Sequence, residues 1–209
     1  MPSFRQLSSL FPALVIDAAS AQVQVGWLAP DRPAAWFTSP DESGVAVFEG
    51  VKALGVDPGS VSAFIFCDGP GSVLGIRTAA MALRTWNVLR ARPVFAYSSL
   101  ALVAHALDRP ELGVIADARR ETWHHYAIGR GLRRIPAADL AGACVMPEHF
   151  RHWSTLPPGV ARVPYSLAEL LPKVWDVDLL RTTDAPDAFL HEEPQYVTWT
   201  PQIHQAPTA

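Results

Sequence analysis

Ala63-Phe64-Ile65-Phe66-Cys67-Asp68-Gly69-Pro70-Gly71-Ser72-Val73-Leu74-Gly75-Ile76-Arg77 is the stretch on which the fold turns. Its first five residues are wholly apolar, the pattern of a strand buried on both faces. Two glycines around a proline then allow a tight turn, and Ser72 is placed to cap a helix running from about Gly75 to Arg90. Upstream, Ala13 to Ile16 form a second apolar run closing on Asp17. Val23, Val25 and Trp27 alternate with Gln22, Gln24 and Gly26, which predicts a half-buried strand, and residues 34–38 supply a third strand of the same meander. Ser43 is placed to cap a helix reaching about Leu54 and ended by Gly55. Downstream, Val94 to Tyr97 predict another buried strand, and Ser98 or Ser99 caps a helix to Leu107. Gly113 to Asp117 and His124 to Ile128 then open a new hairpin.

The order is three strands, helix, strand, helix, strand, helix, after which a hairpin begins again. It implies an α/β protein with a mixed sheet flanked by helices. The expected division is a polar N-terminal extension over residues 1–12, a first unit over 13–109 and a reduced second unit over 110–209. Past its hairpin the second unit is interrupted by Pro157-Pro158 and Pro164, leaving one expected helix from Ser166 to Trp175.

Composition narrows the function classes. The 209 residues include 17 Lys and Arg against 20 Asp and Glu, a net charge of −3, with 49% hydrophobic and only 18% charged residues. The signature of disorder is absent, and the charge balance disfavours a stand-alone nucleic-acid binder whose affinity rests mainly on neutralising phosphates, leaving a free-standing RNA-binding module on the arginines as a weaker third reading. Cys67 and Cys144 fit neither a disulfide framework nor a metal-binding pair, which points to a reducing compartment. Ser9 to Ile16 superficially resembles a short export signal, but Asp17 directly follows it, and no run is long enough to span a bilayer. The expectation is a cytoplasmic protein with no membrane association.

Three segments in order carry a family resemblance: Leu14-Val15-Ile16-Asp17-Ala18-Ala19-Ser20, then Gly69-Pro70-Gly71-Ser72-x-x-Gly75-x-Arg77, then Ile115-Ala116-Asp117-Ala118-Arg119. Together they resemble the TsaB (YeaZ) family, a glycoprotease-like group, and Glu193-Pro194-Gln195-Tyr196 fits that family's C-terminal Pro-x-Tyr. The resemblance implies two ribonuclease-H-like units of the actin, sugar-kinase and Hsp70 type, the second reduced here. It also implies a non-catalytic partner of a TsaD-like catalytic subunit in threonylcarbamoyladenosine modification of tRNA. A TsaE-like ATPase would join, tRNA would be met only through the complex, and the chain alone would pair as a homodimer. The sequence departs from the family at Val73-Leu74, where Phe-Thr is usual, and at Glu121, which comes one residue early. It also lacks a His near Ser39 to Gly44 that many relatives carry.

The residues offer little chemistry of their own. Nucleotide-binding members of the superfamily need glycines in the opening hairpin for backbone amides to approach phosphate, and Asp17-Ala18-Ala19-Ser20 has none. No H-x-x-x-H or HExxH pair occurs, His124 and His125 point to opposite faces of a strand, and Ser72 has no base placed by sequence. His149 and His152, with Glu148 nearby, could share a helical face. No catalytic residue, metal or cofactor is therefore expected. The alternative is a divergent metal-dependent peptidase or phosphotransferase of the same fold using Asp17, Asp117 and histidines. Arg119, Arg120, Arg130, Arg133 and Arg134 form either a modest basic patch that would meet tRNA or the acidic surface of a partner, or a solvated hairpin face.

The helices say more. Val47, Val51 and Leu54 form one stripe that suffices to pack on the sheet, and Val45 and Phe48 lie outside it. In the helix after the glycine turn, Ile76, Ala79, Ala80, Leu83 and Trp86 face the core. Met81 and Val88 share another face with Arg77 and Arg84. Burying a side chain such as Phe48 stabilises by about 1.5 to 3 kcal/mol, so this second stripe calls for a cover. The resemblance implies that the two helices pack on the equivalent pair of the partner. The expected interface residues are Val45, Phe48, Glu49, Lys52, Arg77, Met81, Arg84 and Val88.

Overall fold

The computed structural model describes residues 1–189. A one-turn helix α1 (Phe4–Leu7) precedes β1 (Ala13–Asp17), β2 (Val23–Leu28), β3 (Ala35–Ser39), α2 (Ser43–Ala53), β4 (Ala63–Gly69), α3 (Val73–Leu89), β5 (Val94–Ser98) and α4 (Ser99–Leu107). The second unit follows with β6 (Gly113–Asp117), β7 (Thr122–Ala127), β8 (Gly131–Pro136), β9 (Cys144–Pro147), β10 (Ala161–Val163) and α5 (Leu167–Leu170). The last described strand is β11 (Arg181–Thr182).

The first sheet runs β11-β5-β4-β1-β2-β3 and the second β10-β9-β6-β7-β8. Leaving β11 aside, both have the same order: an antiparallel meander of three strands, then two strands added in parallel beside the first. These are the two ribonuclease-H-like units. What is reduced in the second is its helices. An 11-residue helix joins β3 to β4, but only the 3-10 turn Ala137–Asp139 lies between β8 and β9. Where α3 joins β4 to β5, no helix joins β9 to β10, and Leu156 and Val160 of that loop pack against the core.

The strands are positioned by their apolarity. β1, β4 and nearly all of β5 are buried, as continuous apolar runs require when helices cover both faces of a sheet. α4 lies between the units, with Ser99 through Ala104 buried, packing on β4 and β5 on one side and β6 and β7 on the other.

Three expectations are corrected. Residues 1–12 are not a polar extension: Phe4 and Leu7 are buried, and the Phe4 ring stacks on Trp175. A single turn shows only two apolar positions, too few to read as a period. Glu42, not Ser43, occupies the cap position of α2, without a side-chain cap. The helix expected over 166–175 is four α-helical residues followed by a 3-10 turn, Leu171–Val174. Pro172 removes an amide that a longer helix needs.

Candidate functional site

The three sequence motifs meet in the cleft between the units, a cavity of about 510 Å³ lined by Ala19, Ser20, Gly71, Ser72, Asp117 and Arg119 among others. Their local geometry closes the cleft's floor. The Ser72 amide donates to the Ala19 carbonyl at 2.7 Å, and the Ser72 hydroxyl accepts from the Gly75 amide, capping α3 as expected. A Cβ at Gly71 or Gly75 would collide with the carbonyl oxygens of Ala19 and Ala18, so these glycines serve close approach of two backbones. The buried Ser99 hydroxyl, donating to the Pro70 carbonyl, fixes the turn from behind.

Asp17 is fully buried and faces away from solvent. Its Oδ2 accepts from Tyr97 and Tyr165, each at 2.6 Å, and its Oδ1 accepts from the Ala19 amide. Burial pushes the carboxyl above its ordinary range, against the pull of these donors, and pushes the two phenols and the Cys67 thiol well up. Asp117 is more open. Partial burial pulls it up, but the amides of Ser154, Arg119 and Trp153 outweigh that and hold it below its usual range. Arg119 lies over the Trp153 ring, 4.2 Å from its centre. Neither aspartate offers an oxygen free of these donors to a ligand.

The shortened turn shows in the backbone: Arg119, Arg120 and Glu121 are all left-handed. The five-arginine cluster does not form one patch. Arg119 and Arg120 sit in the β6–β7 turn and Arg130 in the β7–β8 turn, while Arg133 and Arg134 alternate across β8 opposite His125 and His124. His124 lines the cleft and His125 is buried on the other face. His149 and His152 share no helical face, because 148–152 is a loop with His149 left-handed. Among the described residues no three potential metal ligands cluster.

The expected interface residues are brought together by α2 and α3. Toward the sheet, Val47, Val51, Ile76, Ala79, Ala80 and Leu83 are buried. On the outer side Val45, Glu49 and Lys52 are exposed, as are Phe48 (51%), Met81 (56%) and Val88 (85%). Phe48 meets Trp86 edge to face, coupling the helices. Sequence reading missed Leu74, which is 77% exposed and extends the stripe by one heptad, because it sits inside the glycine motif. It also missed Asp187, which lies 3.4 and 3.6 Å from the Arg77 and Arg84 guanidiniums. Asp68, buried and paired with Arg181, escaped as well. The Glu193-Pro194-Gln195-Tyr196 motif lies outside the described residues.

No protein-family model and no curated protein matches the chain. Among solved structures, YeaZ from Pseudomonas aeruginosa is similar over 77% of this chain and 88% of its own, at 22% identity and a TM-score of 0.55. A protein described as uncharacterized with similarity to peptidase YeaZ from Pseudomonas aeruginosa is similar over 78% of this chain and 88% of its own, at 21% identity and a TM-score of 0.54. The chain thus has the fold of these YeaZ structures, two ribonuclease-H-like α/β units with the second reduced.

Proposed function

We propose that the chain is a TsaB (YeaZ) family member acting as a non-catalytic scaffold. It binds and activates a TsaD-like catalytic subunit in threonylcarbamoyladenosine modification of tRNA, with a TsaE-like ATPase joining and tRNA met through the complex. The observation that carries this reading is the outer face of α2 and α3, where Val45, Phe48, Leu74, Met81 and Val88 remain exposed after both helices have packed on their sheet. At about 25 cal/mol per Å² of apolar surface, covering five such side chains is a substantial driving force for association. The glycine turn, tied to the Ala19 carbonyl through the Ser72 amide, and Asp17, whose two oxygens both accept internal hydrogen bonds, support a surface role over a catalytic one.

The test is co-purification with the TsaD-like protein of the same genome. Phe48→Asp and Met81→Asp are expected to abolish it and leave the thermal unfolding midpoint near that of the unmodified chain. Normal binding by both variants would refute the reading.

A further inference from the structure

We infer that the cleft between the two units is a binding site for a phosphate monoester carrying a flat or apolar group, held by the guanidiniums of Arg77, Arg119 and Arg151. The three come from α3, the β6–β7 turn and the β9–β10 loop, and all line the cavity of about 510 Å³. Arg119 and Arg151 make no ion pair among the described residues. Arg77 shares the Asp187 carboxylate with Arg84, at 3.4 and 3.6 Å, whereas Arg109 outside the cleft is hydrogen-bonded to Glu111 at 2.9 Å. Net charge does not carry the site. Asp117 also lines the cavity, Asp41 and Glu42 line the hollow across Leu74 that Arg151 shares, and Glu148 lies with Arg151 along the loop. What carries it is that these carboxylates leave the guanidinium forks unused. Asp117 Oδ1 accepts from the Arg119 amide, its Oδ2 accepts from the Trp153 and Ser154 amides at 2.6 and 2.7 Å, and Asp41 accepts from the Ser39 hydroxyl. A phosphate offers the paired oxygens that a planar fork matches.

The site is also preset. Asp117 ties the turn bearing Arg119 to the loop bearing Arg151. Arg162 fixes that loop by donating to the Pro147 and Phe150 carbonyls at 3.3 and 3.4 Å, and the Ala21 amide, donating to the His149 carbonyl at 2.7 Å, fastens it to the first unit. The Arg119 guanidinium lies over the Trp153 ring, and a stacked guanidinium keeps its in-plane N–H groups for a ligand. Binding therefore orders little that is not already held. Val73, Leu74 and Trp153 line the same cavity and are 43%, 77% and 62% exposed, an apolar wall that inorganic phosphate alone would leave wet. Arg119 and Arg151 lie off the α2–α3 face, so this site and the docking reading stand or fall separately.

Isothermal titration of the full chain with phenyl phosphate, AMP and inorganic phosphate, at neutral pH and matched ionic strength, tests this. Phenyl phosphate and AMP should bind with a Kd of about 1 mM or tighter, and about tenfold or more tighter than inorganic phosphate. AMP binding tighter than phenyl phosphate names a nucleotide as the source of the phosphate; the reverse names a smaller aryl phosphate. Arg119→Ala and Arg151→Ala should each weaken phenyl phosphate about tenfold or more, the loss of a charged hydrogen bond. Arg119→Lys keeps the charge but not the fork and should stay weakened. Arg109→Ala should change nothing. Both cleft arginines are exposed, so thermal unfolding midpoints should match that of the unmodified chain. No binding of phenyl phosphate or AMP would overturn the inference, and so would unchanged affinity in both alanine variants. Full affinity in Arg119→Lys would overturn the role of the fork, and equal affinity for inorganic phosphate would overturn that of the apolar wall.

Discussion

The phenol of Tyr165 donates to Oδ2 of Asp17 at 2.6 Å, joining residues 148 apart and the second unit to the first. Tyr97 donates to the same oxygen from β5, and nearby Gln24 holds both the Tyr165 carbonyl and the Leu167 amide. Asp17 is thereby the anchor of a buried network that spans both units. Tyr165→Phe keeps the ring against Phe150 but removes one donor to a buried carboxylate. A hydrogen bond to a charged group contributes about 1.5 to 3 kcal/mol, and a loss of that order is expected in urea unfolding. An unchanged midpoint would show that the network does not join the units energetically.

The same carboxyl gives a pH signature. Burial raises the folded-state pKa of Asp17 above the ordinary 3.8, so between those values the folded protein holds a proton that the unfolded chain has released. Stability from this group is therefore greatest at low pH and falls as pH rises through that window. Asp17→Asn removes the titration. The stability of the unmodified protein minus that of Asp17→Asn should decline upward from about pH 3.8 and then level off. A difference that rises with pH would reverse the assignment.

How much of this was legible in sequence depends on the distance over which each feature is encoded. β1, β4, β5 and α3 declare themselves within a dozen residues, because apolar runs, a glycine turn and a capping serine are local signals. The outer stripe was legible for the same reason: helical spacing leaves Phe48 and Met81 off the face that packs. Tyr165, Arg181 and Asp187 carry no such mark. Each acts on a residue more than 100 positions away, in a region whose prolines read only as interruption. The second unit was under-read because it keeps its sheet and loses its helices. Short strands such as Cys144–Pro147 and Ala161–Val163 are too brief to show a period without helices to punctuate them.

Glycine positions in the two helices of the proposed face should behave oppositely. Gly75 lies where any Cβ would strike the Ala18 carbonyl oxygen, a backbone atom with little freedom to yield. Gly75→Ala should therefore cost about 1 to 3 kcal/mol, the range for overpacking. Gly44 is the second residue of α2, with nothing within 4 Å of an added Cβ, and Gly44→Ala should leave stability unchanged or raise it by up to about 1 kcal/mol. Thermal unfolding of the pair decides it. Equal effects would mean that the glycine motif is not required by the approach of α3 to the opening loop.

The pair Asp68 and Arg181 should be asymmetric to mutation. Asp68 follows the apolar core of β4 and is buried, while about 45% of the Arg181 side chain is exposed on β11, the strand that covers the β5 edge. Arg181→Ala leaves a buried carboxylate without its counter-ion, which in a fully enclosed pair costs about 3 to 5 kcal/mol and here, with one partner half in water, about 2 kcal/mol or more. Asp68→Asn leaves only an arginine that can turn to solvent, and the neutral amide fits the same space. Arg181→Ala is thus expected to be the more destabilising by urea unfolding. The reverse order would show that the buried site tolerates the bare charge and that Arg181 serves mainly to hold the edge strand.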